Sequence, residues 1–383
     1  MASLKEIETA RLEVNAARAW VNSVIIERRD IVDALFASFL AKEHVLLLGP
    51  PGTAKTELAV AFASTVGVDD VFIKLLHKFS GLDEIFGPIK ISGLEHDSYA
   101  RKLSGLATAR ICVLDEIFKC NQALLNSLLT AINERKFDDD GQRIDIPLEF
   151  VLGASNEMPE DETLAALFDR FVLRFPVDKL SSDGLSWLLS KDLNFTNPPR
   201  VSEKSVAVLR EEIKNFLKSP PPDVVAALVK ISRDKGTLSD RRMKKMMKIA
   251  ASYIAGLGDS HSSAINRLWP AVWERPDETG LAQAIVVSVS SKMGGVVSRG
   301  SSAIDQASLD KAEGADGWIR FWQAVKQAKN NREIQDLIDV AQRKRNNGAV
   351  DGSKLRTDIH VNTGTWDDAV RTLQDKLRDR VMG

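Results

Sequence analysis

Gly49-Pro50-Pro51-Gly52-Thr53-Ala54-Lys55-Thr56 lies between Val45-Leu46-Leu47-Leu48 and a helix-forming stretch, Glu57 to Ser64. Four aliphatic residues are too few for a helix and show no alternation, so they read as a short strand buried on both faces. A buried strand, a glycine-bearing turn and a helix start together give the context a phosphate-binding loop requires. Backbone N–H groups of the turn cradle phosphates, Lys55 reaches the β- and γ-phosphates as a point charge, and Thr56 offers a hydroxyl to Mg2+. The helix N-terminus adds its positive dipole. Ala54 stands where the motif usually carries its second glycine, which is harmless at negative φ and costly if a left-handed conformation is needed.

Working outward, Ile111-Cys112-Val113-Leu114-Asp115-Glu116 is a second buried run, and it ends in two carboxylates 60 residues beyond Lys55. At the carboxyl end of a strand Asp115 would hold Mg2+ and Glu116 would polarise the attacking water as general base, a Walker B pattern. Phe150-Val151-Leu152-Gly153-Ala154-Ser155-Asn156 is a third such run. Its terminal amide, Asn156, can bond both the γ-phosphate and the lytic water, as a sensor 1 residue does. Fourteen residues on, Leu167-Phe168-Asp169-Arg170-Phe171 sets an arginine at a helix end between apolar anchors. Arg170 is the arginine-finger candidate, with Arg174 competing. Ser239-Asp240-Arg241-Arg242 opens a helix with cations at 241, 244, 245 and 248 and an apolar face of Met243, Met246, Met247 and Ala250. From it Arg241, or Arg242, is expected to reach the phosphates. The expected nucleotide-binding residues are thus Gly49, Pro50, Pro51, Gly52, Thr53, Ala54, Lys55, Thr56 and Asp115. Those expected to act in the reaction are Glu116, Asn156, Arg170 and Arg241.

Around these motifs, residues 4 to 42 carry helical periodicity, with Ile31, Leu35, Phe36 and Phe39 on one face. Short apolar runs then alternate with helical segments to about residue 178, the signature of a parallel α/β sheet. Helical patterns take over at Val206 to Leu217, Asp223 to Arg233 and Asp240 to Ile254. Ser288 to Gly317 reads as a linker or loop, and Trp318 to Gly383 as helical. In the last part Trp318, Phe321, Trp322 and Val325 form a stripe at helical spacing that reads as core. The expected domains are 1–180 for the nucleotide-binding core, 181–290 for an all-α lid, and 291–383 for a linker and helical tail.

The bulk composition narrows the classes further. The 383 residues are 44% hydrophobic, and 52 basic against 53 acidic side chains leave a formal charge of −1, so no global field draws the chain to nucleic acid or an acidic membrane. No apolar run approaches the roughly 18 residues that span a bilayer, and the first residues lack a signal-peptide core, so a cytoplasmic protein is expected. Cys112 and Cys120 have no histidines at metal-ligand spacing. Five scattered histidines and no nucleophile elbow give protease and metalloenzyme readings no support.

Gly49 to Thr56, Leu114-Asp115-Glu116-Ile117, Ala154-Ser155-Asn156-Glu157 and Asp169-Arg170-Phe171 together resemble the MoxR family of AAA+ ATPases. Asp115-Glu116-Ile117-Phe118-Lys119, Leu128 to Arg135, Ser155-Asn156-Glu157 and Ser239-Asp240-Arg241-Arg242 look most like its RavA branch, over approximately residues 20 to 290. The resemblance implies an AAA+ P-loop core with a parallel sheet, an all-α lid and a helical C-terminal tail. It also implies a helix-2 insert hairpin at about 85–103, with Gly87 to Ser92 and Ser98 to Arg101 flanking Glu95-His96-Asp97. A pre-sensor-1 hairpin is read at about 135–147. A ring homo-oligomer, hexameric in the family, would use ATP and Mg2+ to remodel or activate a protein complex, commonly with a von Willebrand factor A domain partner. RavA carries a long discontinuous region with a β-rich module where about 90 residues stand here, so its client contact is not carried over.

Two other classes compete with this motor. A nucleic-acid-tracking motor predicts cationic pore hairpins, whereas Lys90, Arg101, Lys102, Arg135 and Lys136 are mixed with Glu95, Asp97 and Asp138 to Asp140. A nucleotide-gated scaffold would make turnover incidental, which the intact Asp115-Glu116 pair argues against.

Overall fold

The computed structural model describes residues 2–66, 71–90, 101–139, 141–159, 162–190 and 196–293, with 321, 325, 337, 338, 340, 341, 344, 365 and 369–373. The chain divides into two compact units, Met1–Val296 and Val297–Gly383.

Two helices open the first unit, α1 (Leu4–Val24) and α2 (Arg29–Ala41). The sequence periodicity suggested one helical region, but it breaks where Ile25 turns extended and Glu27 takes φ 56°. The β-branched run Val24-Ile25-Ile26 weakens the helix there. Glu27 then accepts from Ser181 N (2.9 Å), a bond made across the fold. The strands are β1 (Val45–Leu48), β2 (Val71–Leu75), β3 (Ile111–Asp115), β6 (Phe150–Ser155) and β7 (Leu173–Pro176), all parallel, in the order β2-β3-β6-β1-β7. Every residue of β1 and β6 is buried, which explains their unbroken apolar runs. Between strands run α3 (Lys55–Thr65), α4 (Leu82–Phe86), α5 (Gln122–Glu134) and α6 (Glu162–Phe168). The helices α7 (Ser182–Ser190), α8 (Glu203–Lys218), α9 (Pro222–Lys235), α10 (Asp240–Ala251), α11 (His261–Asn266) and α12 (Thr279–Met293) complete the unit.

One hydrophobic core joins the sheet to these later helices. Buried ion pairs fasten them as well: Asp33 on α2 accepts from Arg18 (2.5 Å) and Arg267 (2.7 Å), and Arg267 also holds Asp259 (3.0 Å). Helix α12 extends through Met293, into the stretch that reads as linker, because Ala282, Ile285, Val286 and Val289 recur at helical spacing and are buried.

A second sheet holds β4 (Lys136–Asp139) and β5 (Gln142–Asp145), the antiparallel hairpin read from the sequence. Residue 140 in its turn lies outside the described residues. At the base of the other expected hairpin, Ile89 pairs antiparallel with Arg101 and Lys102 N donates to Pro88 O (2.8 Å); 91–100 lie outside the described residues. Phe86 stacks on Phe137 at 4.1 Å and Arg101 Nε meets Asp139 at 3.3 Å, which ties the two hairpins together. In the second unit Phe321 and Val325 are helical and buried, whereas Trp318 and Trp322 lie outside the described residues.

His44, fully buried just before β1, cross-links the sheet. Val151 N donates to its Nδ1 (3.1 Å), so the ring proton sits on Nε2 and is donated to Ile132 O (3.1 Å). Burial first, then Lys245 and Arg135, push its pKa down to about 3. An unfolded histidine titrates near 6.5, so the unfolded state takes up a proton that the fold refuses. The contribution is complete above about pH 6.5 and is lost by about 1.4 kcal/mol per unit below it, levelling near pH 3. In urea titrations, the stability advantage of wild type over His44→Gln should shrink by about 2 kcal/mol between pH 7 and 5. An advantage that stays constant across that range would mean the buried ring accepts the proton.

Candidate active site

Parallel pairing aligns the strand ends that matter. Leu48 lies opposite Ser155, Gly49 N donates to Ser155 O (3.0 Å), and Asp115 closes β3. The turn after β1, the end of β3 and Asn156 after β6 therefore meet at the carboxyl edge of the sheet, where open α/β sheets bind ligands. Gly49 is required by close approach: a Cβ there would lie 2.1 Å from Val177 O, because Val177 N bonds Leu48 O on the far side of β1.

The side chains at this edge form a connected polar chain. Lys55 Nζ donates to Gly49 O (2.7 Å), Pro50 O (2.9 Å) and Asn156 Oδ1 (3.0 Å). Asn156 Nδ2 in turn donates to Glu116 Oε1, while Glu116 Oε2 faces Lys119 Nζ at 3.3 Å. Burial lowers the Lys55 pKa, opposed by Asp115 and Glu116. Thr56 Oγ1 donates to Asp115 Oδ2 (2.9 Å). A hydroxyl and a carboxylate oxygen so paired are the hard oxygen donors that Mg2+ accepts while it keeps several waters, so these residues fit that ion. No cluster of three or more His, Cys, Asp or Glu able to hold a metal occurs among the described residues. Thr53 closes the turn by donating to Pro50 O (2.9 Å).

The turn itself is strained in one place. Gly52 and Ala54 both take positive φ, 76° and 60°. The left-handed conformation that would make alanine costly is thus the one adopted.

The arginines separate cleanly by environment. Arg174 on β7 is wholly buried; it donates to Phe171 O and Trp273 O (both 3.0 Å) and lies over the Phe168 ring at 4.1 Å. Burial, with Arg242, pushes its pKa down to about 9, which leaves it charged near neutral pH. Arg242 is buried too, bonded to Asp169 and Glu274. Both competing candidates are therefore engaged inside the fold. Arg170 is part-buried, with an Nε that has no hydrogen-bond partner, and Arg241 is exposed. Burial and the nearby charge of Arg241 lower the Arg170 pKa.

Arg241 lies next to Arg170. Lys245 donates to Arg170 O (2.9 Å), and Lys245 and Lys248 pair with Glu43 (3.2 and 2.8 Å), immediately upstream of β1. Burial raises the Glu43 pKa, but the two lysines outweigh it and the net shift is downward. Leu173 pairs with Val45 and Pro176 with Leu48, so Arg170 precedes β7 at the amino edge of the sheet. The α10 face that reads as free to meet phosphates is docked at this edge. Arg241 stands beside Arg170 at this amino edge, whereas Lys55 follows the carboxyl end of β1. Sequence reasoning missed Lys119, Glu43 and Asp169; the three-residue spacing of Glu116 and Lys119 was the one available signal.

Residues 12–218 match the family model of the MoxR domain in MoxR–vWA–β-propeller ternary systems. An uncharacterised protein of Methanocaldococcus jannaschii is 35% identical over 73% of this chain and 76% of its own. The chaperone MoxR1 of Mycobacterium tuberculosis is 27% identical over 62% of this chain and 64% of its own. In fold, the chain resembles the solved structure of a candidate ATPase from Cytophaga hutchinsonii, with TM-score 0.51 and 16% identity over 77% of this chain and 93% of that one.

Relief of the left-handed strain at Ala54, about 1–2 kcal/mol, exceeds the added unfolded-state entropy of glycine, about 0.4–1 kcal/mol. Ala54→Gly should therefore stabilise the nucleotide-free protein by roughly 0.5–1 kcal/mol in urea unfolding. A destabilised variant would contradict the strain at this position.

Proposed function

Because the chain belongs to the MoxR family of AAA+ ATPases, we propose that it hydrolyses Mg-ATP at a site shared between neighbouring subunits of a ring. The observation that carries this reading is the separation of the two halves of the chemistry. Lys55, Thr56, Asp115, Glu116 and Asn156 occupy the carboxyl edge of the sheet, whereas Arg170 and Arg241 occupy the amino edge. Within one chain the two sets lie at opposite edges of the sheet. A head-to-tail neighbour can bring both to one phosphate, and such contacts close into rings when the rotation permits.

In this reading the backbone of Gly49 to Thr56 and the Lys55 ammonium hold the phosphates. Thr56 and Asp115 would hold Mg2+, which would neutralise phosphate charge. Asn156, now spent on Lys55 and Glu116, turns its amide to the γ-phosphate and the attacking water, and Glu116 takes the proton from that water. Arg170 and Arg241 of the adjacent subunit meet the charge that develops on the transferred group. Two facing guanidiniums are disfavoured without an anion between them, so ATP binding draws the subunits together and hydrolysis loosens them.

Residues 181–290 act as the lid and pass this movement on, and the tied hairpins pass it to a client. Lys136 is paired with Asp145 (2.7 Å), Arg143 with Glu134 and Asp138, and Arg101 with Asp83 and Asp139. Cations already neutralised in this way favour a protein client over a nucleic-acid backbone. The reading extends by resemblance to a hexamer of the RavA-like branch in the cytoplasm that remodels or activates a protein complex. The matched family's name supports a von Willebrand factor A domain partner.

Steady-state ATP hydrolysis should rise with protein concentration as rings form, and Glu116→Gln and Arg170→Ala should each lower it by about 10²-fold or more. Native mass spectrometry in ATP should still find Glu116→Gln in rings. Full activity of a wild-type monomer would overturn the shared site, and rings without measurable turnover would favour a nucleotide-gated scaffold.

A further inference from the structure

Glu116 is held in an unusual way. It takes φ 54°, ψ 43°, a left-handed conformation at a strand end, where a residue with a long side chain is strained. Strain of this kind persists only where the surroundings hold it, and it gathers at working sites. Two groups hold the carboxylate. Asn156 Nδ2 donates to Oε1, and Lys119 Nζ stands 3.3 Å from Oε2, a buried oxygen that accepts no hydrogen bond. Lys119 reaches this position because the single helical turn Ile117–Lys119 folds its side chain back over Glu116.

The two holders differ in what becomes of them on nucleotide binding. Asn156 also accepts from Lys55, the phosphate-binding lysine, so any phosphate that takes up Lys55 competes for the amide as well. Lys119 has no such link and is 43% exposed on its outer side. A phosphate that takes up Lys55 frees Asn156 Oδ1, and an amide that then turns to the phosphate withdraws Nδ2 from Oε1, while Lys119 keeps its place at Oε2.

We propose that Lys119 is a positioning residue for the hydrolytic step: it anchors Oε2 of Glu116 so that Oε1, given up by Asn156, points at the attacking water. The proposal rests on Glu116 being the general base. In the step, the water oxygen bonds the γ-phosphorus and its proton passes to Oε1. The bond to the bridging oxygen breaks, leaving its electron pair on ADP.

A half-exposed ion pair three residues apart contributes little to folding, so substitution of Lys119 should leave the thermal midpoint nearly unchanged. The loss should instead appear in kcat. For the full-length chain titrated with ATP, Lys119→Met should lower kcat about tenfold, part of the 10²–10⁴ or so that a positioned base supplies, with KM within about twofold. Lys119→Arg should recover most of the loss. Lys119→Met should cost nothing further in a Glu116→Gln background. Wild-type kcat in Lys119→Met beside an inactive Glu116→Gln would overturn the role of Lys119 alone. So would a loss expressed in KM or in the thermal midpoint that arginine does not repair. Undiminished turnover by Glu116→Gln would instead overturn Glu116 as base, and the proposal with it.

Discussion

The parallel pairing of β1 with β6 and β7 is the constraint on which the rest depends. With Leu48 opposite both Ser155 and Pro176, the three strands point the same way and end level. Whatever follows β1, β3 and β6 must then collect at one edge, and whatever precedes β1 and β7 at the other. Backbone hydrogen bonding thus separates Lys55, Asp115, Glu116 and Asn156 from Arg170 before any side chain chooses a partner. The buried His44, bonded to Val151 and to Ile132, pins the start of β1 against both the sheet and α5.

Electrostatics then dispose of the cations at the amino edge. A buried charge is tolerable only if paired, and breaking such a pair is costly. Asp169 faces both Arg174 and Arg242, and Glu43 satisfies Lys245 and Lys248. These contacts dock α10 on the sheet and consume the cations that make them. Arg170 and Arg241 are left next to each other, one part-buried and one exposed. The same helix that looks amphipathic and basic in isolation is therefore an anchor with one projecting cation.

Much of this was legible in the residue order, and for a definite reason. A strand buried on both faces must be continuously apolar, so Val45 to Leu48, Ile111 to Leu114 and Phe150 to Ala154 announce themselves. The polar residues that end the last two, Asp115 and Ser155, mark the edge of the sheet. The β4–β5 hairpin was equally plain from its alternation around an acidic turn. Other features depend on quantities that order does not carry. Nothing in Ala54 or Glu116 tells the sign of φ, and both are left-handed. Arg170 and Arg174 differ by burial, which tertiary packing decides. A basic helix face does not say which carboxylates it will meet, so the docking of Lys245 and Lys248 on Glu43 was not legible. The helix break at Ile25 to Arg28 was hidden because apolar spacing resumes in phase after it.

The central claim, that one complete site needs two chains, is tested most directly by mixing two inactive variants. Each Glu116→Gln subunit keeps Arg170, and each Arg170→Ala subunit keeps Glu116, so a mixed ring contains some junctions with both. The shared-site account predicts that ATP hydrolysis, nearly absent from either variant alone, reappears on mixing and peaks near equal proportions. A mixture that stays inactive at every ratio, while mass spectrometry finds both variants in the same rings, would contradict it.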